Sequence, residues 1–162
     1  MTGTAGTARE LYRVLLRDEV APRLRALGWK GSGLRFRLPD AGAWVQLGFR
    51  SSRHGAGAPV RFTFHVSVVG RAAWEEYRAA HPEAPARPGP TIAYGPAFRP
   101  VRIGHLMAVA RDSWWLVREG DTPEQTAATA DSVCAAVTGT AVPEIRRRLA
   151  QLAAPAADGI PG

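Results

Sequence analysis

Three stretches of this chain alternate apolar and polar residues with period two, and that pattern constrains the fold more than any other feature. Leu34, Phe36 and Leu38 alternate with Arg35 and Arg37. Val45, Leu47 and Phe49 alternate with Trp44, Gln46 and Arg50. Val60, Phe62, Phe64, Val66 and Val68 alternate with Arg61, Thr63, His65 and Ser67. Successive side chains of a strand point to opposite faces, so each run predicts a strand with one apolar side. The connections at 39–43 and 51–59 hold Pro, Asp, Gly and Ser and are short enough to join antiparallel neighbours. A three-stranded meander is the simplest topology.

A sheet with one apolar face needs a cover, and the flanking segments supply helices. Thr7 is placed to cap a helix over residues 8–27, with Leu11, Tyr12, Leu15, Leu16, Val20, Leu24 and Leu27 at helical spacing and Gly28 as its stop. Pro22 lies inside this run and removes a backbone donor, which predicts a kink or two shorter helices. A short helix is expected at 71–80. After it, residues 81–100 carry six of the chain's 13 prolines and read as an irregular excursion, either a lid or a packed loop. Two further strands are expected at 101–109 and 113–118, joined as a hairpin by a turn near Arg111 and Asp112. Thr122, Pro123 and Gln125 form the start signal of a helix to about Val137, with Gly139 as its stop, and a last helix is expected over 142–152. The order of elements predicts an α+β fold: an antiparallel sheet of about five strands with helices packed on one face.

At 162 residues the chain is the size of one domain, expected over 1–152, with 153–162 as a flexible tail. No apolar run approaches the ~20 residues that span a bilayer, and the first residues lack the charged-then-apolar pattern of a secretory signal. These observations predict a soluble cytoplasmic protein that does not associate with membranes. The single cysteine, Cys134, rules out an intramolecular disulfide and a cysteine-rich zinc site.

The net charge of +7 is regional. Between Val20 and Gly70 stand Arg23, Arg25, Lys30, Arg35, Arg37, Arg50, Arg53 and Arg61 against one acid, Asp40, and the remainder of the chain is neutral overall. Strand alternation places Arg35, Arg37, Trp44, Arg50, Arg61 and His65 on the side of the meander away from its apolar face. Such a surface attracts an acidic protein or the phosphates of a nucleic acid, unless the chain's own Glu75, Glu76, Glu119 or Glu144 folds over it. The nucleic-acid reading has no RNP-type aromatic pattern or GXXG loop behind it.

The remaining candidates have bland readings beside them. The loop from Ser51 to Gly57, with Arg53 and His54, offers backbone amides to an anion but lacks the P-loop consensus and reads equally as a hairpin tip. His54, His65, His81 and His105 show no metal-ligand spacing; His65 and His105 fall on expected strands that could bring them together. Cys134 sits in an apolar helical stretch without an activating base. Of Trp114 and Trp115, one ring is expected to face the core and the other the polar side. No catalytic constellation, metal site or cofactor motif emerges.

Several segments together resemble a bacterial family known as domain of unknown function 4304. They are Leu27-Gly28-Trp29-Lys30, Gly33-Leu34-Arg35-Phe36-Arg37, Arg61-Phe62-Thr63-Phe64-His65-Val66, Arg102-Ile103-Gly104-His105-Leu106 and Trp114-Trp115-Leu116. Members tend to carry a Gln and Lys where this chain reads Phe49-Arg50 before Ser51, and an Asn where His65 stands. The resemblance implies an α+β fold and brings no activity, cofactor or catalytic residue with it. The functional expectation is therefore a non-enzymatic binding module that uses Arg35, Arg37, Trp44, Arg50, Arg53, Arg61 and His65 to dock an acidic partner, as an immunity-type protein would. The alternatives are a nucleic-acid-binding protein and an enzyme with a pocket in which His54, His65 or His105 meets a carboxylate.

Overall fold

A computed structural model describes residues 6–52, 55, 57–107 and 114–154. The fold is α+β, built on an open antiparallel sheet. Its strands are β1 (Lys30–Ser32), β2 (Arg35–Leu38), β3 (Ala43–Ser52), β4 (Val60–Gly70), β5 (Val101–Arg102) and β6 (Trp115–Val117). The expected meander forms as β2, β3 and β4, with Phe36 opposite Leu47 and Leu47 opposite Val66. Those side chains pack with Val45, Phe62 and Phe64 on the apolar face, all at most 2% exposed.

Two features of the sheet differ from the sequence expectation. A sixth strand, β1, pairs with β2 across a turn at Gly33, and all three of its residues are exposed, so it carries no apolar alternation to announce it. Among the described residues, the two late strands do not pair with each other. Both lie on the free edge of β4, β5 beside His65 and Val66 and β6 beside Val60–Phe62. Strand β5 ends after two residues because Ile103 turns into the core and begins a 3-10 turn, Ile103–Leu106. The expected turn at Arg111 and Asp112 lies outside the described residues, as does the tail beyond 154.

The apolar face is covered by α1 (Ala8–Val14), α2 (Ala21–Ala26), α4 (Pro123–Ala136) and α5 (Val142–Ala153). Thr7 and Glu10 close a capping box on α1, and Thr122 and Gln125 close one on α4, with Pro123 in its first turn. The kink expected at Pro22 takes the form of a π-helical turn, Leu15–Val20, ahead of it. A second π turn, Val137–Ala141, precedes Pro143, and the chain runs through it into α5, so Gly139 does not stop the helix. The reason is common to both. A helical proline has no N–H and its ring crowds the carbonyl four residues earlier; one wider turn relieves the clash, and the N–H of the residue just before the proline bonds five residues back, Ala21 to Leu16 and Val142 to Val137.

Helices do not occupy one face alone. Helix α3 (Arg71–Ala80) and residues 81–100 lie against the polar face, where they form a smaller second core around Trp74. Its indole N–H donates to the carbonyls of Pro85 and Ala86, each at 3.2 Å, and Tyr94 and Phe98 meet its ring edge-on at 4.8 and 5.6 Å. The proline-rich excursion is thus a packed strap.

Candidate anion-binding face

Strand register decides whether the predicted basic residues belong together. Arg35 lies opposite Gly48, Arg37 opposite Gln46, Gly48 opposite His65, Arg50 opposite Thr63 and Arg61 opposite Ser52. Directly opposed side chains share a face, so Arg35, Arg37, Trp44, Arg50, Arg61 and His65 all stand on the polar side. Arg53 and His54 lie outside the described residues.

The face is not open across its width, contrary to the sequence expectation. The strap crosses its middle. Gln46, 5% exposed, donates from Nε2 to the carbonyl of Pro88 at 2.7 Å, and Thr63 and Ser67 are buried with it. Gly48 is glycine for a physical reason: a Cβ there would lie 2.5 Å from Thr91 Cγ2 and 3.0 Å from Pro90 Cβ. Gln46 and Gly48 mark where the strap crosses the face. Arg35, Arg37, Arg50 and Arg61 stay exposed along its margin.

Among the described residues, no acid neutralises that margin. Glu75 pairs with Arg78, and Glu144 with Arg147 and Arg148, each on its own helix. Among the described residues, no carboxylate comes within ion-pairing distance of Arg35, Arg37, Arg50 or Arg61. The register sets each of the four opposite an uncharged residue, Gly48, Gln46, Thr63 and Ser52, so none directly opposes another and all four stay available to solvent.

The aromatic rings near the array are already occupied by cations. Trp44 is half-buried, with the Arg71 guanidinium 3.9 Å from its ring centre and Arg87 at 5.4 Å. Trp115 stacks on Phe64 at 5.7 Å in the main core, while Trp114 turns to the polar side and takes Arg61 at 5.1 Å and Arg102 at 5.2 Å. The expected division of that pair is what the strand produces.

His65 is half-buried, and its Nδ1 finds no hydrogen-bond partner among the described residues. Burial pushes its pKa down to about 4, and Arg102, Arg50 and His105 add to the effect. The two histidines are neighbours, as their expected strands suggested, and among the described residues no carboxylate contributes to the shift of His65. An unfolded histidine titrates near 6.5. Below that pH the unfolded chain takes up a proton that the folded chain refuses until about 4, so stability falls as pH drops through this window and is untouched above it. His65→Asn should flatten the decline: urea denaturation at pH 7 and pH 5 is expected to show a smaller difference in the variant than in the native chain.

Two cavities open along the strap's margin. One, of about 450 Å³, is lined by Lys30, Arg35, Arg37 and Arg87 together with Gln46 and Tyr94. The other, of about 320 Å³, is lined by Arg9, Arg35 and Arg50 beside Pro90 and Thr91. Among the described residues, neither lining has a carboxylate. Sequence reasoning did not assign Arg9 and Arg87 to the site: Arg9 comes from α1 and Arg87 from the strap, and neither carries a periodic signal that would place it. Among the described residues there is no cluster of three potential metal ligands, and no helix is long and apolar enough to cross a membrane.

What these observations define is an α+β antiparallel-sheet domain with a basic, partly roofed polar face. The family model described as domain of unknown function (DUF4304) matches residues 20–154, and the chain belongs to that family. No curated protein and no solved structure matches it.

Proposed function

We propose that this chain is a non-enzymatic binding module whose basic sheet face docks an acidic protein, in the manner of a small immunity-type protein that neutralises its partner. One observation carries the reading. Four arginines on three successive strands share one face, remain exposed beside the strap, and receive no counter-charge from the described residues of their own chain. An exposed array that no described residue of its own chain neutralises is explained by an external partner, because complementary charge steers encounter and fixes orientation. Nucleic acid is the weaker reading: single strands are held by stacking bases on free aromatic faces, and Trp44 and Trp114 already carry guanidinium groups.

The test is a double charge reversal, Arg37→Glu with Arg61→Glu, at two exposed positions that leave the core intact. Recovery of the acidic partner by the immobilised chain is expected to fall at least tenfold, about 1.4 kcal/mol. Recovery unchanged by the reversal would remove the basic face from the interface. Binding to an oligonucleotide at low salt, falling steeply as salt rises, would transfer the face to phosphates.

A further inference from the structure

The two cavities of the basic face share Arg35 and Pro90, so they form one trough between β2 and the strap. Lys30, Arg37 and Arg87 lie at one end, Arg35 at the middle, and Arg9 and Arg50 at the other. Arg35 and Arg37 are two residues apart on one strand, which sets their Cα atoms roughly 7 Å apart at ~3.4 Å per residue. Arg50 lies two residues beyond Gly48, the partner of Arg35, and so continues the line by one similar step on the next strand. The trough therefore presents cations at a regular interval of roughly 7–8 Å.

That interval matches an extended peptide, whose alternate side chains project to the same side roughly 7 Å apart. We propose that the trough seats an extended acidic segment of the partner, with Asp or Glu at positions i, i+2 and i+4 facing Arg37, Arg35 and Arg50. The inference rests on the reading of the face as a dock for an acidic protein and adds the conformation and charge pattern of what docks.

Two labelled peptides of identical composition separate the possibilities: Gly-Glu-Ser-Glu-Ser-Glu-Ser-Gly, with alternating acids, and Gly-Glu-Glu-Glu-Ser-Ser-Ser-Gly, with the same acids in a block. Measured by fluorescence anisotropy against the full chain, the alternating peptide is expected to bind at least fivefold more tightly than the block. Arg35→Ala should weaken the alternating peptide at least tenfold, whereas Arg146→Ala, on the exposed side of α5, should leave it unchanged. Arg35→Lys keeps the charge and removes the guanidinium fork, and serves the same purpose if the alanine variant does not fold. Equal affinity for the two peptides overturns the extended register, yet leaves the acidic-partner reading intact if Arg37→Glu with Arg61→Glu still abolishes partner recovery. An octathymidylate that binds more tightly than either peptide assigns the trough to nucleic acid, and no measurable binding of any probe overturns the proposal.

Discussion

Replacing Trp74 with alanine is expected to destabilise the protein by about 3–5 kcal/mol, the usual cost of emptying a fully buried aromatic site. In a domain of this size that corresponds to a fall in Tm of roughly 6–20 °C. The larger consequence is local. Trp74 is completely buried but lies outside the main core, and it holds the strap in two ways: its indole N–H donates to the carbonyls of Pro85 and Ala86, and its ring takes the edges of Tyr94 and Phe98. Without it the strap keeps the Gln46 bond to Pro88, the close packing of Pro90 and Thr91 over Gly48, the edge contacts of Tyr94 and Phe98 with Tyr77, and Arg87 over Trp44. Residues 81–100 should then gain hydrogen exchange and protease sensitivity while β2, β3 and β4 keep their protection. Because the strap is one wall of the trough, alternating-peptide binding should fall at least tenfold in a chain that is still folded. Trp74→Phe, which keeps a ring and loses the donor, should lie between. Unchanged exchange in residues 81–100 would show that the strap is held by other contacts.

The same strap explains where the sequence was legible and where it was not. Period-two alternation placed β2, β3 and β4 and put Arg35, Arg37, Arg50 and Arg61 on one face, because alternation is dictated by the backbone and survives any context. What covers that face is a tertiary fact. Residues 81–100 have no periodicity, and their prolines announce only that they are neither helix nor strand interior. A weaker signal was present: a glycine in the middle of a strand often marks the close approach of another backbone. Gly48 is that position, beside the uncharged Gln46 on the same strand, and both lie under the strap. The trough drew on less accessible information. Arg9 and Arg87 reach it from α1 and from the strap, elements far apart in the chain, and no local pattern records that meeting. Local rules failed in one further place, Gly139, where the stop expected of a glycine lost to a helix that continues through a π turn ahead of Pro143.

Phe64→Ala is expected to cost a similar ~3–5 kcal/mol and to act in the opposite way. Phe64 is fully buried at the centre of the main core, stacked on Trp115 at 5.7 Å with an interplanar angle of 8° and tilted against Phe49 at 5.3 Å. Trp115 belongs to β6, which is paired to β4, and Phe49 belongs to β3, so the cavity left by the ring touches three strands at once. Loss at such a junction should lower the midpoint of a single cooperative transition, with exchange rising across the sheet and the helices packed on it. The trough lies on the other side of the sheet, lined by Arg35, Arg37, Arg50 and the strap. At low temperature, where the variant remains folded, the alternating peptide should therefore bind within about twofold of the native chain, a difference of under about 0.5 kcal/mol. Two substitutions of comparable cost would then give opposite results: Trp74→Ala loses the peptide and keeps the sheet, and Phe64→Ala keeps the peptide until the sheet melts. If Phe64→Ala abolished binding in a chain still folded by far-UV circular dichroism, the main core and the strap would be a single unit, and the trough would depend on the whole sheet instead of on the wall that Trp74 holds.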